Sequence, residues 1–277
     1  MPDLKLPMRF SLISALASMF MAISGCAAPH SKNTAFNAVS YPGIDPVLGE
    51  SLYPDEAAIA EEIADAIEQS IRKQYASGNA LRDAHPKAHG CVRAEFHVLP
   101  TLPDKLAKGV FIPGKTYQAW IRFSNASHDV AKADIKRDAR GMAIKLLAVP
   151  GEKIIGGAAA TQDFIMINHP VFFANEPGRY RSLIQDTNSS SFFKKLHIPF
   201  ALGAKGTMIA LSLNTRISNP LQARYWSMVP YQLGLGADRQ AVKYSARACS
   251  AERDPMPDHP AHNFLRDALK NSLKKKD

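Results

Sequence analysis

The chain has 277 residues, 46% of them hydrophobic and 21% charged, with a formal net charge of +9. This is an ordinary globular balance, apolar enough for a substantial core, and it excludes a disordered or fibrous chain. The positive charge is scattered, with no Arg/Lys stripe interleaved with aromatics, which speaks against nucleic acid as a partner. The three cysteines include no CxxC pair, which speaks against a thiolate metal cluster.

Residues 1–25 carry Lys5 and Arg9, then an apolar run from Phe10 to Ile23, then Ser24 and Gly25 before Cys26. A basic start, a short apolar run and small residues before a cut site make a secretory signal. The run is shorter than the roughly 20 apolar residues that span a bilayer. Ile23-Ser24-Gly25-Cys26 resembles the lipobox of bacterial lipoproteins. That resemblance implies a diacylated Cys26 as the mature N-terminus. It also implies a lipid-anchored protein of the bacterial cell envelope, facing the periplasm from the outer membrane. Residues 26–49, rich in Ser, Asn, Pro and Gly, read as a tether, and residues 50–277 as one domain. Cys91 and Cys249 are expected as small buried hydrophobes, with a disulfide as the alternative.

Pro54-Asp55-Glu56 opens a helix running to about Tyr75, with Ile59, Ile63, Ile67 and Ile71 forming one apolar stripe. Residues 91–98 alternate as a strand, and so do residues 117–123. Further strands are expected over 141–148, 164–167, 207–213 and 241–248. Helical material is expected over 179–185 and 191–195. A final helix follows Pro260, with Phe264, Leu265, Ala268, Leu269 and Leu273 as its apolar face. Strands early and helices late predict an α+β fold with an antiparallel barrel or sheet and helices packed outside it.

Four polar stretches stand beside these strands: Arg82 to Gly90, Arg122 to Asn125, Lys136 to Gly141, and Asn168-His169-Pro170. Pro86 biases His85 toward extended backbone. There is no HExxH, GxSxG, P-loop or dinucleotide fingerprint.

Taken in order, the four stretches resemble haem catalases. Arg82-x-x-His85-x-Lys87 with Gly90 is similar to their distal segment, and Arg122-Phe123-Ser124 to a core strand. Arg137-Asp138-x-Arg140-Gly141 is similar to the turn that follows, Ile144-Lys145 to the strand after it, and Pro170-x-Phe172-Phe173 to the segment beside the haem. The resemblance covers about residues 50–255. It is to the minimal members of the superfamily, without their long C-terminal extensions, and it implies an antiparallel β-barrel core of the catalase type with packed helices.

The resemblance implies haem b iron as cofactor, and hydrogen peroxide or an organic hydroperoxide as substrate, with an electron donor it does not identify. His85 becomes the distal acid/base, since imidazole suits proton movement near neutral pH. Ser124 supports it, with Asn168 as a further distal group. Arg82 and Arg122 would hold the propionates, and Phe172 and Tyr180 would line the ring. The iron ligand would be a tyrosinate, the ligand that catalases use. Anchoring on Leu233-Gly234 selects Tyr225, with Tyr231 as the alternative. Two positions depart from the pattern. Leu221 stands where catalases carry an arginine four residues before the ligand, and Ile167 takes the distal asparagine position in strict register, one residue before Asn168. The implied function is a haem-dependent peroxidase or weak catalase. A fatty acid hydroperoxide isomerase or a non-enzymatic haem-binding envelope lipoprotein are the alternatives, and a homodimer is compatible.

Overall fold

A computed structural model describes residues 44–151 and 160–274. The signal, Cys26 and most of the tether lie outside the described residues.

The isoleucine stripe forms helix α1 (Glu56–Gln74), which buries Ile63, Ile67 and Ile71 and turns its acids outward. Full burial of such a side chain is worth roughly 1.5–3 kcal/mol. Four long antiparallel strands follow: β1 (Ala88–His97), β2 (Thr116–Asn125), β3 (Arg140–Leu147) and β4 (Thr161–Ile167). Helices α2 (Pro177–Thr187) and α3 (Phe192–Leu213) come next. Four short strands complete the β structure: β5 (Tyr225–Ser227), β6 (Tyr231–Leu233), β7 (Gln240–Val242) and β8 (Ser245–Ala246). Helix α4 (Phe264–Lys274) closes the described chain, burying Phe264, Leu265 and Leu269.

The fold is α+β, as expected. Strands β1-β2-β3-β4-β5-β8 form one antiparallel sheet that curls as a half-barrel, and β6 pairs with β7 separately. Among the described residues the sheet's end strands, β1 and β8, do not pair with each other.

Register decides which side chains share a face. Ser124 pairs with Gly141, Gly141 with Ile167, and Ile167 with Trp226. Those four therefore lie on one face, since opposed residues in a ladder point the same way. Phe123, Met142 and Met166 lie on the other, where Phe123, Met142, Phe164, Met166, Tyr225 and Tyr231 join one buried core. A second cluster lies among the helices, where α1 and Tyr180 bury against Phe172 and Phe173.

Three expectations are corrected. Residues 207–213 are not a strand but the second half of α3. A short apolar run has no period long enough to tell the two apart, and here the helix begun at Phe192 carries through. The expected strand over 241–248 is two short strands, with Lys243 and Tyr244 between them. Cys91 and Cys249 are both free thiols, and both are exposed rather than buried.

Candidate active site

His85 sits on the loop between α1 and β1, at φ 59°, in the left-handed region. This corrects the extended conformation expected from Pro86. Such a backbone costs a non-glycine residue on the order of 1–3 kcal/mol and persists only where its surroundings hold it. Here three hydrogen bonds do so. The His85 amide donates to Ala126 O at 3.2 Å. Arg122 Nη2 donates to His85 O at 2.6 Å. The ring Nδ1 shares a 3.0 Å hydrogen bond with Ser124 Oγ.

The third side of the ring is set by Gly141. A Cβ on Gly141 would lie 2.5 Å from His85 Nδ1, 2.6 Å from Cε1 and 3.0 Å from Ser124 Oγ. The imidazole thus lies against bare backbone of β3, in a space only glycine leaves open. Strand alternation puts Arg122 and Ser124 on the same face of β2, two residues apart, so one strand supplies both the backbone clamp and the ring partner.

Burial, the Arg122 guanidinium and then that of Arg82 push the His85 imidazole down to about 4. A hydrogen bond with the Asn125 backbone opposes the shift only in part, so the ring is neutral at pH 7. Burial, and then Arg82, lower the Arg122 guanidinium pKa in turn. Arg82 itself is exposed.

Several expected residues have other work. Asn168 is fully engaged: its Oδ1 accepts from the Arg140 amide at 2.7 Å, and its Nδ2 donates to Leu213 O at 3.0 Å and Thr215 Oγ1 at 2.9 Å. It ties the end of α3 to β3. Phe172 packs 4.1 Å from Phe173 and 5.7 Å from Tyr180, ring centre to ring centre. Burial and then the Asp83 carboxylate raise the Tyr180 phenol to about 12, so this aromatic group adjoins the His85 loop.

The proximal tyrosine is where the expectation fails. Tyr225 lies on β5, one residue before Trp226, and so on the sheet face opposite Ser124. Its ring packs 6.1 Å from Phe123, its hydroxyl donates to Pro220 O at 2.9 Å, and it is 2% exposed. Burial drives its phenol pKa well up, only partly opposed by Arg140, so the ionised form is disfavoured. Tyr231 is likewise buried in the core cluster, and burial raises its pKa too. A haem ligated by Tyr225 with His85 on its distal side does not fit, because the sheet stands between the two residues.

The sequence reading missed a buried polar network on the core-facing side. Arg140, 1% exposed, donates to Asn125 Oδ1, and its Nη2 reaches the carbonyls of Asp134, Lys136 and Thr215 at 3.2 Å each. Asn125 Nδ2 donates to Asp134 Oδ1 at 3.1 Å, Lys87 pairs with the same oxygen at 2.8 Å, and the Leu265 amide donates to Oδ2 at 3.1 Å. His89 Nε2 lies 2.8 Å from Asn125 Oδ1. Burial holds His89 down to about 4, so its 3.8 Å approach to Asp134 is a contact with a neutral ring, not an ion pair. The available signal was parity: Asn125 and Arg140 occupy the inward positions of their strands, where an apolar residue is expected.

Residues 79–194 match the family model described as catalase. No curated protein matches the chain. Among solved structures, one described as the structure of a bacterial catalase is 16% identical with a TM-score of 0.49, covering 96% of this chain and 52% of that one. The chain thus spans about half the length of that protein. The segment that resembles catalase carries His85, Arg122, Ser124 and Gly141.

Proposed function

We propose that the protein is an oxidoreductase that processes hydrogen peroxide or an organic hydroperoxide, with His85 as its proton-transfer residue. The observation that carries this reading is the neutral His85 ring, hydrogen-bonded to Ser124 and seated on Gly141 within the catalase-like segment. The ring relays a proton from the hydroperoxide oxygen next to it to the departing oxygen. The two electrons and two protons that complete reduction to an alcohol (or water) and water come from a reducing co-substrate, or from a second hydrogen peroxide where oxygen is released. Ser124 orients the ring, and Arg122 positions the backbone beneath it. Arg122 and Arg82 also favour an anion on this face.

Haem b is the cofactor that the resemblance implies, but the tyrosine that would hold its iron does not face His85. That same observation favours a second reading, a catalase-type scaffold without tyrosinate-bound haem. As part of the proposal, the signal and Cys26 tether the domain to the periplasmic side of a bacterial membrane.

The test is hydroperoxide consumption by the purified chain, with and without added haem, for the parent and His85→Gln. The reading expects consumption that falls by about 10²-fold or more in the variant, the range of general acid–base catalysis. Oxygen release marks catalase activity, donor oxidation a peroxidase, and a rearranged product an isomerase. A Soret band without turnover leaves a haem carrier. Consumption unchanged in His85→Gln, or absent under all conditions, refutes the proposal.

A further inference from the structure

Helix α3 buries the wrong side for a core helix. Its inward residues include the small Ala201 and Gly206, with Leu202 and Leu213. Its large apolar residues face solvent: Phe192 is 73% exposed, Phe193 79%, Phe200 76% and Met208 70%, with Leu196 and Leu211 also exposed. A soluble amphipathic helix does the reverse, and large apolar side chains left exposed together along one segment mark a docking face.

The helix is long and apolar enough, by length and composition alone, to cross a membrane. Its geometry says otherwise. Gly203 (φ 70°, ψ 171°) breaks it into two halves. Each half is about 10 residues and about 16 Å long, against a hydrocarbon core of about 30 Å. The break is built in: Arg179 Nη1 donates to Ala201 O at 3.3 Å, and a Cβ on Gly203 would lie 2.9 Å from that same nitrogen. Past the corner, a Cβ on Gly206 would lie 2.5 Å from Phe173 O, so the second half is pressed to the protein by its small side. Two half-helices fixed at an angle, with apolar residues outward, suit lying on a bilayer and not spanning it.

Charge and chain length choose the occupant. The segment has no acidic residue, and Lys194, Lys195 and Lys205 are all exposed beside the aromatics. A second copy docked by the same patch would set lysines against lysines with no carboxylate from either segment to pair them. Anionic headgroups would pair with all three, and their alkyl stems reach past the apolar side to the surface. On the reading that Cys26 is lipidated, the roughly 17 residues before the described domain reach at most about 60 Å, so the domain is held beside a membrane.

We infer that α3 is a membrane-docking element, seating Phe192, Phe193, Leu196, Phe200, Met208 and Leu211 in the headgroup–acyl boundary of an anionic bilayer. This rests on the tether reading for proximity, and the experiment separates the two. The signal-processed chain carrying Phe200→Trp is placed with vesicles of phosphatidylethanolamine and phosphatidylglycerol, and the Trp120 and Trp226 signal of the parent is subtracted. The expected result is a blue-shifted emission quenched by phospholipid brominated near the top of the acyl chain. Adding Phe193→Glu and Leu196→Glu abolishes both effects. The mass of the N-terminal peptide reports acylation of Cys26 independently. Vesicle-dependent quenching without acylation supports docking while the anchor reading fails. An acylated, vesicle-bound chain whose Phe200→Trp emission stays that of water overturns docking while the anchor stands. A blue shift without vesicles that grows with protein concentration, together with a doubled mass, also overturns it, because a second copy then covers the face.

Discussion

Gly141→Ala tests the core of the proposed site with a single methyl group. The backbone at 141 is extended β structure and accepts alanine without strain. The trouble is space. The new Cβ lies 2.5 Å from His85 Nδ1, where ordinary contact needs about 3.5 Å, so the ring must retreat by about 1 Å. It has little freedom to do so, because the His85 amide and carbonyl are pinned by Ala126 and Arg122. Overpacking of this kind costs about 1–3 kcal/mol, and losing the Ser124 hydrogen bond adds about 1 kcal/mol. A catalytic group displaced by about 1 Å loses about 10²-fold in rate. Urea denaturation measures the first effect, hydroperoxide consumption the second, and the His85 ring resonances report the displacement directly. Gly178→Ala is the control: it lies in α2 with no atom within 4 Å of the new Cβ, and is expected to be neutral or slightly stabilising. A Gly141→Ala protein within about 0.5 kcal/mol of the parent, the range of surface changes, with His85 resonances unmoved, would refute the seating of the ring on β3.

Arg140→Met removes a guanidinium that serves Asn125 and three carbonyls, and is expected to cost on the order of 3–5 kcal/mol in urea denaturation. Tyr225→Phe orphans the Pro220 carbonyl and should cost about 1–3 kcal/mol, yet leave the visible spectrum of haem-treated protein unchanged; a lost Soret band would show that Tyr225 reaches the cofactor after all. Acid should destabilise the fold through His85 and His89, both held down to about 4 from an ordinary 6.5. Their contribution is complete above about pH 6.5 and is lost toward pH 4, where the unfolded chain takes up protons that the folded chain refuses. Urea midpoints at pH 7, 5.5 and 4.5 should fall in that order, and less steeply in His89→Gln.

Much of the site was legible because its residues lie close along the chain or on one strand. Arg122 and Ser124 are two residues apart on β2, and alternation alone puts them on one face. His85 needed only the loop that delivers it to that face. Tyr225 was not legible in the same way. It lies on a three-residue strand, too short to show a period, and its face depends on pairing with β4, which no local pattern announces. Asn168 read as a distal group because it is polar and follows a strand, whereas its carboxamide is spent on residues 213 and 215, far along the chain.

The amino-acid order by itself determined the elements with a long, clean period. The isoleucine stripe of α1, the alternation of β1 and β2 and the apolar face of α4 each repeat often enough for local chemistry to leave one solution. It also determined the polar stretches around His85, Arg122 and Gly141. The tertiary structure decided what lies opposite what. A one-residue change of register moves a side chain through the sheet, and that is the whole difference between a tyrosine facing His85 and Tyr225 as it stands, buried against Phe123. It likewise decided that α3 turns its phenylalanines outward, because Gly203, Gly206 and Arg179 leave room for only its small side against the protein.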